Sequence, residues 1–415
     1  MSGMAAAAAV LAVTAALATA APAGAASCEG QRWLGAWTAP PSNTAASLSK
    51  QTLRLNLTPL KSGRVARVRL SNRFGTRAVT FAGVRLGKER SGARLVRGSN
   101  RVVRFDGRRS VRVAAGREVL SDPVRISFRA FEHLAVSVYV PGPTGPVTQH
   151  SQAHQTSFTG AGDLTGRDGA VGFSPAGTAR PFVTGLDVRA SARDGVVAAI
   201  GDSITDGDQR SATLQELGVD EDARYPDFLA RRLARRRFSV LNLGIGGNRV
   251  LGDLPAFAGP SLLNRLDADL LDRPDVTDAI LMEGINDLGF DQALPADAVI
   301  DGLRRAVRRL HVLRRDHRRP RLNVLVGTLT PSLGAREAGH ATPETEQRRQ
   351  EINGVIRAGG IGDGVVDFDR ALRDPADPSR LARAYDGGDG LHPSSAGYRR
   401  MARAVDLAKL RGPAC

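Results

Sequence analysis

Short alternations of apolar and polar residues dominate positions 50–140. In residues 64–70 the apolar side chains fall on one face of an extended segment and the arginines on the other. The same pattern predicts strands at 78–86, 101–105, 110–114 and 134–140, with a hairpin turn at Asp106-Gly107. Because no helical periodicity competes, we predict a β-sandwich or jelly-roll-like domain. A long connection over 147–193 is expected to add a strand or two.

From residue 194 the pattern changes to apolar runs that alternate with amphipathic stretches. The runs predict strands at 196–200, 238–243, 276–282, 322–328 and 364–368. The intervening stretches predict helices near 224–236, 260–271, 296–318, 344–358 and 394–410. This alternation indicates an α/β domain with a five-stranded parallel sheet covered on both faces. Such sheets carry their chemistry at the carboxyl ends of the strands.

The chain begins with an Ala-rich apolar run that ends in Ala23-Gly24-Ala25. This run resembles a secretory signal peptide, and Pro22 and Gly24 interrupt it before it could cross a bilayer. We therefore expect a secreted protein. Its predicted organisation is a signal peptide at 1–26, a β-rich accessory domain with its connection at 27–193, and the α/β domain at 194–415.

Two cysteines, Cys28 and Cys415, stand just after the predicted leader and at the last residue. An even cysteine count in an exported protein supports a disulfide, which would join the two termini. Lipidation of Cys28 is the alternative, but the preceding residues form a poor lipobox. We predict a Cys28–Cys415 disulfide, and neither cysteine resembles a catalytic thiol or a metal ligand.

The sequence carries 58 Lys and Arg residues against 42 Asp and Glu, a formal net charge of +16. A basic surface can attract nucleic acid, anionic lipid or wall polymers. The arginines look scattered along the sequence and no nucleic-acid motif accompanies them, so we interpret the excess as the codon usage of a GC-rich genome. We expect no nucleic-acid partner, and contact with an anionic surface or lipid stays open.

Four blocks of polar residues and glycines stand where predicted strands end or where the last helix begins. They are Gly201-Asp202-Ser203-Ile204, Asn242-Leu243-Gly244-Ile245-Gly246-Gly247-Asn248, Gly284-Ile285-Asn286-Asp287 and Asp389-Gly390-Leu391-His392. A serine directly after a buried strand is accessible at the sheet edge, and consecutive glycines let a backbone N–H approach a reacting carbonyl. The three-residue spacing in the last block lets a carboxylate turn onto an imidazole and fix its tautomer.

These four blocks, in this order, resemble the SGNH hydrolase family of GDSL-type lipases and esterases over about residues 194–410. The resemblance implies a flavodoxin-like three-layer αβα fold. It also implies that Ser203 is the nucleophile, His392 the general base and Asp389 the partner that orients the base.

The same resemblance implies an oxyanion hole. Its donors would be the backbone N–H groups of Ser203 and Gly247 and the side-chain amide of Asn286, with Gly246 as the alternative glycine. Two N-terminal segments, Trp33-Leu34-Gly35-Ala36-Trp37 and Ser71-Asn72-Arg73-Phe74-Gly75, are similar to segments of secreted bacterial members that carry a β-rich domain before the catalytic one.

The implied activity is hydrolysis of carboxylic esters through an acyl-enzyme, on a small-molecule or polysaccharide ester with a short acyl group such as acetyl. Two alternatives stay open: a lipase or lysophospholipase acting on lipid esters, and a glycan- or wall-binding protein whose hydrolase half is vestigial. No ligand-spaced His/Cys cluster exists, so we expect neither a metal nor another cofactor. We expect a monomer.

Three further residues near these blocks are assigned structural roles. His150 and His154 lie in the connection, where they could rim the cleft, and isolated histidines of this kind are more often structural. Asp202 adjoins Ser203, but neighbouring side chains at a strand end point in opposite directions. We therefore expect Asp202 to hold its loop.

Overall fold

The structure is a computed structural model that describes residues 29–270, 273, 275–316 and 321–413. The predicted signal peptide at 1–26 lies outside the described residues, and so do Cys28 and Cys415. The leader, the secretion and the disulfide therefore stay predictions. None of the described helices is both long enough and apolar enough to cross a membrane.

Residues 29–194 form strands and no helix. The strands are β1 Gln31–Thr38, β2 Asn43–Ala45, β3 Gln51–Leu57, β4 Gly63–Ser71, β5 Val79–Phe81, β6 Gly83–Ser91, β7 Arg94–Leu95, β8 Arg101–Val102, β9 Val111–Val113, β10 Glu118–Leu120, β11 Val124–Phe128, β12 Leu134–Val140, β13 Val147–His150, β14 Ser157–Ala161, β15 Ser174–Pro175, β16 Arg180–Pro181 and β17 Val183–Ser191. Strands β4 and β12 closely match the predicted runs at 64–70 and 134–140.

Two antiparallel sheets dominate this β-rich region. One has the order β1-β17-β4-β10, with β11 also paired to β4, and the other has the order β15-β14-β3-β12-β6-β7, with β8 paired to β6. The inner faces of both sheets contribute to one apolar core, which includes Val68 and Val188 from the first sheet and Leu55 and Val136 from the second. This arrangement confirms the predicted sandwich-like class.

Two local predictions for this region were wrong. The connection over 147–193 holds five strands, and β17 lies at the centre of a sheet between β1 and β4. The Asp106-Gly107 turn forms, with positive φ at both residues, but its hairpin is a single bridge between Phe105 and Arg108. Its flanking strands β8 and β9 pair instead with β6 and β5.

Residues 195–413 alternate strands with helices, as the sequence predicts. The strands are β18 Gly195–Gly201, β19 Phe238–Gly244, β20 Asp278–Met282, β21 Asn323–Gly327 and β22 Gly364–Val366. The helices are α1 Ser203–Asp206, α2 Tyr225–Leu233, α3 Leu262–Leu270, α4 Ile285–Phe290, α5 Ala296–Asp316, α6 Pro343–Arg357, α7 Phe368–Leu372 and α8 Ser395–Ala404. The short helices α1, α4 and α7 were not predicted, since each is too brief to show a 3.6-residue repeat.

The five strands form one parallel sheet in the order β19-β18-β20-β21-β22. Along β18, alternate side chains enter different cores: Val196 and Ala198 pack with α3, α5 and α6, whereas Val197 and Ala199 pack with α2, α7 and α8. Both faces of the sheet are therefore covered by helices. The predicted flavodoxin-like three-layer αβα fold is confirmed.

The edge strand β1 joins the β-rich region to the parallel sheet. Gly35 packs so closely on Leu241 of β19 that an added Cβ would lie 2.8 Å from that side chain. The Gly35 N–H donates to Asp275 Oδ2 at 2.6 Å, and its carbonyl accepts from Ser239 Oγ at 2.7 Å. Apolar side chains of both regions consequently belong to a single core.

Candidate active site

The nucleophile candidate stands where the first parallel strand ends. Strand β18 stops at Gly201, and helix α1 begins two residues later with Ser203. Asp202 caps this helix by accepting a hydrogen bond from the Ile204 N–H at 2.9 Å, and Gly207 ends it in the left-handed conformation with φ of 109°. The geometry agrees with the loop-holding role expected for Asp202.

Glycines let the loops around Ser203 approach one another. A Cβ on Gly201 would collide with the Met282 carbonyl of the neighbouring strand, and a Cβ on Gly244 would collide with the Asp206 backbone. The ends of three adjacent strands can therefore meet without intervening side chains.

A chain of two hydrogen bonds joins the three residues expected to form the triad. Ser203 Oγ lies 2.9 Å from His392 Nε2, and His392 Nδ1 lies 2.7 Å from Asp389 Oδ2. The three side chains are buried, with 6% or less of each residue exposed. This geometry suits transfer of a proton from the hydroxyl to the imidazole while the carboxylate fixes the ring.

The loop between residues 389 and 392 orients its own carboxylate. Asp389 Oδ1 accepts from the backbone N–H groups of Leu391 at 3.0 Å and His392 at 2.9 Å, which leaves Oδ2 for the imidazole. Burial opposes ionisation, but the hydrogen bond from His392 holds the pKa of Asp389 below its usual value. Asp389 is thus an anion at neutral pH.

A second carboxylate faces the imidazole, and sequence analysis missed it. Asp208 Oδ2 lies 3.9 Å from His392 Nε2, and both its oxygens accept from Arg210, at 3.0 and 2.7 Å. Burial lowers the pKa of His392, whereas the Asp389 hydrogen bond and the Asp208 charge raise it, with a net rise above 6.5. The only signal in the sequence was an acidic and a basic residue, Asp208 and Arg210, shortly after the serine.

The expected oxyanion donors surround the same point. Ser203, Gly246, Gly247 and Asn286 all line one cavity. Among the described residues, no protein group accepts a hydrogen bond from the N–H of either glycine. Gly247 has φ of 71°, and a Cβ there would collide with the Phe257 ring, so only glycine fits. The choice between the two glycines as donor stays a prediction.

His340 holds the Asn286 amide, a contact with no signal in the sequence. Its Nε2 lies 3.1 Å from Asn286 Oδ1, and the Asn286 Nδ2 donates to the Asn248 carbonyl at 3.0 Å. Burial lowers the pKa of His340 to about 4, so the ring is neutral at pH 7, and in the tautomer that carries its proton on Nε2 it donates to Asn286 Oδ1. The amide oxygen is then held by His340, and the amide nitrogen faces the glycine loop.

The sequence profile of the GDSL-like lipase/acylhydrolase family matches residues 199–400, which contain Ser203, Asn286, Asp389 and His392. Residues 199–400 therefore form a GDSL-like lipase/acylhydrolase domain. The protein is accordingly a carboxylic ester hydrolase. A search of curated proteins finds no matching sequence.

Solved structures of several bacterial esterases resemble about half of the chain. Est24, a carbohydrate acetylesterase from Sinorhizobium meliloti, is 18% identical, with a TM-score of 0.43 over 51% of this chain and 96% of its own. The aryl esterase of M. smegmatis is 19% identical, with a TM-score of 0.43 over 51% and 95%. A GDSL-like lipase from Bacteroides thetaiotaomicron is 17% identical, with a TM-score of 0.37 over 52% and 87%. Likenesses this distant carry no information on the substrate.

A buried arginine of α3 ties together the loops of the GDSL-like domain. Arg265 donates through Nη2 to the Gly201 carbonyl at 3.0 Å, through Nη1 to the Leu243 carbonyl at 2.9 Å, and through Nε to Asn248 Oδ1 at 2.8 Å. Its charge is balanced by Asp269 at 2.8 Å. The signal in the sequence was an Arg and an Asp four residues apart on the apolar face of α3.

Further carboxyl groups of the GDSL-like domain are buried around Arg265 and the serine loop. Burial raises the pKa of Asp202 to about 7 and that of Asp287 to about 6, and raises the pKa of Glu283 well above its usual value. Asp287 accepts from the backbone N–H groups of Val250 and Leu251, at 2.7 and 3.0 Å. These contacts fix the segment that follows the glycine loop.

The two histidines of the connection lie near the site but do not line its cavity. His150 is buried and lies 2.8 Å from the Pro40 carbonyl and 3.2 Å from Asp206 Oδ1. His154 is buried and contacts Glu216 at 2.8 Å. Both make the structural contacts that were expected of them. Gln152, between them, reaches the cavity instead.

Replacing Arg265 by Met should lower the free energy of unfolding by about 3–5 kcal/mol. The change leaves Asp269 with Arg73 as its remaining cation, at 3.2 Å, and removes the donor that Arg265 provides to the Gly201 and Leu243 carbonyls and to Asn248 Oδ1. Arg304→Met removes an exposed pair with Asp301 on α5 and should change the same quantity by no more than about 1 kcal/mol. Urea unfolding of both variants measures the difference, and equal losses would contradict the role of Arg265.

Proposed function

We propose that the protein is a secreted serine esterase that hydrolyses short-acyl esters, such as acetyl groups on carbohydrates, through Ser203, His392 and Asp389. The observation that carries this proposal is the pair of hydrogen bonds of 2.9 and 2.7 Å that links the hydroxyl, the imidazole and the carboxylate. Secretion rests on the predicted leader. The Cys28–Cys415 disulfide belongs to the same proposal.

Attack begins when Ser203 Oγ bonds to the ester carbonyl carbon and its proton passes to His392 Nε2. The neutral imidazole accepts that proton, and Asp389 stabilises the resulting imidazolium. As the tetrahedral intermediate collapses, the carbon–oxygen bond to the alcohol breaks and His392 returns the proton to the leaving oxygen. Water then repeats the sequence on the acyl-enzyme, which releases the carboxylic acid and restores Ser203.

The negative charge that develops on the carbonyl oxygen needs donors that are already in place. The Ser203 and Gly247 N–H groups and Asn286 Nδ2 would supply them, with His340 keeping the amide nitrogen on the correct side. Donors fixed in advance stabilise the transition state without reorganisation during the reaction. Arg265, by holding the strand ends and Asn248, would set the distance between these donors and the nucleophile.

The size of the site favours a short acyl group. Its cavity measures about 190 Å³, whereas pockets for drug-sized ligands measure about 300–1,000 Å³. Polar side chains at the same cavity, including Gln152, Arg210 and Glu337, could bind the hydroxyl groups of a sugar. The cavity volume and the polar lining therefore support the proposed substrate class.

One observation favours lipid esters as the second candidate. Phe257 and Phe290 line the cavity and remain 56% and 45% exposed. Exposed aromatic rings beside a nucleophile could hold an acyl chain outside the small cavity. The remaining alternative, a binding protein with a vestigial hydrolase half, loses support because the three triad residues are present and hydrogen-bonded.

Acetyl, octanoyl and palmitoyl esters of one chromogenic alcohol test the nucleophile and the acyl chain together. We expect kcat/KM to fall as the chain lengthens and Ser203→Ala to abolish turnover of every ester, since the variant lacks the hydroxyl that is proposed to form the acyl-enzyme. Ser110→Ala, an exposed serine of the β-rich region, is the matched control and should keep its activity. A preference for palmitoyl esters would favour the lipid alternative, and an active Ser203→Ala variant would exclude the proposed nucleophile.

The pH dependence of kcat/KM should report His392. Activity requires the neutral imidazole, so activity should fall as the pH drops through the pKa of His392. Because Asp389 and Asp208 raise that pKa, the acid limb of the kcat/KM profile should lie above pH 6.5. Asp208→Asn removes one of these charges, so the limb should move to lower pH. Asp301→Asn, an exposed control on α5, should leave the profile unchanged. A limb that does not move in Asp208→Asn would show that this carboxylate does not act on the base.

Asn286→Ala should lower kcat by about 10²–10³-fold and change KM little, since an oxyanion donor acts in the transition state. The control is Asn264→Ala, an exposed asparagine of α3, and thermal unfolding of both variants checks that the fold is kept. A rise in KM with kcat unchanged would assign Asn286 to substrate binding instead.

A further inference from the structure

The excess positive charge of the chain is confined to its β-rich part. Residues 29–194 contain 26 Lys and Arg against 10 Asp and Glu, whereas residues 195–415 contain 32 of each. The net charge of +16 therefore belongs entirely to the β-rich region, and the GDSL-like half is neutral.

Codon usage accounts for the arginine content of both halves but not for this division of the net charge. A GC-rich genome enriches arginine in both halves of one gene, and both halves are indeed arginine-rich. Only in the GDSL-like half are the cations matched by acids, several of them in buried pairs such as Arg265–Asp269 and Arg349–Asp369. The β-rich half lacks the balancing acids, so its charge needs a separate explanation.

The unbalanced cations lie on the surface. Among residues 29–194, which the structure describes throughout, 16 arginines and Lys50 are exposed, against three exposed acids, Glu29, Asp106 and Asp163. Cations that stabilised the fold would be expected beside carboxylates. Exposed guanidinium groups without acidic neighbours create a positive potential that attracts anions from solution.

Four cations of the β-rich region border one groove, which we call the basic groove. It has a volume of about 610 Å³ and lies where β1 and β4 begin and β11 and β17 end. Arg64, Lys88, Arg129 and Arg189 line it, with Glu132 as the one acid. Glu132 pairs with Lys88 at 2.7 Å. Within the described part of the chain, no carboxylate lies within ion-pairing distance of the three guanidinium groups.

The neutral lining of the basic groove narrows the class of ligand. Gln31, Ser62 and Ser127 add amide and hydroxyl groups beside the cations, and such groups bind sugar hydroxyls. Guanidinium groups bind carboxylates through two parallel hydrogen bonds. The combination fits a sugar polymer that carries carboxylates.

Other anionic partners fit less well. A membrane surface is bound by cations together with inserted apolar side chains, and single-stranded nucleic acid is bound by stacking on exposed aromatic rings. Among residues 29–194, the exposed large apolar side chains are Val96 and Val171, neither of which is aromatic. The surface therefore offers charge and hydrogen bonds but no exposed aromatic ring, and the apolar residues of the groove lining are the half-buried Val65 and the buried Phe128.

We infer that the basic groove is a binding site for an anionic polysaccharide, which holds the polymer on the β-rich region independently of the ester-cleaving site. The surrounding exposed arginines extend the positive surface, so a long chain can occupy more than the groove itself. Each bound anion displaces counterions, and affinity should fall steeply as salt rises.

The test compares binding of polygalacturonate, a carboxylate polysaccharide, with binding of neutral dextran of equal length. Both are measured at about 0.1 M NaCl, where the Debye length is about 10 Å. The full chain should bind polygalacturonate and not dextran. The triple variant Arg64→Gln, Arg129→Gln, Arg189→Gln should bind it about tenfold or more weakly, through loss of three charged donors. Hydrolysis of a small acetyl ester should stay unchanged.

The matched control is Arg305→Gln, Arg308→Gln, Arg383→Gln, which removes three exposed charges from the GDSL-like half. It should weaken polygalacturonate binding by less than about twofold, since surface charges distant from the site are screened. If both triple variants weakened polygalacturonate binding equally, net charge alone would explain the binding and the basic groove would not be its site. Tighter binding of phosphatidylglycerol vesicles or duplex DNA than of polygalacturonate would overturn the assignment to a polysaccharide.

Discussion

The buried guanidinium of Arg265 is the interaction on which the geometry of the site depends. A charge removed from water must be neutralised and its N–H groups must find acceptors, or the fold loses several kcal/mol. Arg265 meets both needs by bonding the ends of β18 and β19, the Asn248 side chain and Asp269. The strand that presents Ser203 and the loop that presents Gly247 are thereby fixed relative to each other.

Much of the α/β half could be predicted from the sequence, because its strands and helices are long and strongly periodic. The site blocks could also be located, since parallel strands end at one edge. Asp208, Arg265 and His340 could not be assigned, because their roles come from contacts between distant segments rather than from any local pattern. The same reason explains why β17 was missed, since its partners β1 and β4 lie more than 100 residues earlier.

The two halves of the chain use the same residue type in opposite ways. In the GDSL-like half, arginines such as Arg265 and Arg349 are buried and matched by carboxylates, so they organise the interior. In the β-rich half most arginines are exposed and unmatched, so they act on the surroundings of the protein. Contacts of β1 with β19 join the two halves through one apolar core, which would keep a bound polymer close to an ester-cleaving site.

In the proposed mechanism Ser203 is acylated because His392 accepts its proton. Intact-mass spectrometry after treatment with a fluorophosphonate, followed by peptide mapping, can identify the acylated residue and show whether it depends on His392. We expect one adduct per chain, located on the peptide that contains Ser203, and much slower labelling in His392→Ala. An adduct on another residue, or labelling of His392→Ala at the wild-type rate, would contradict this mechanism.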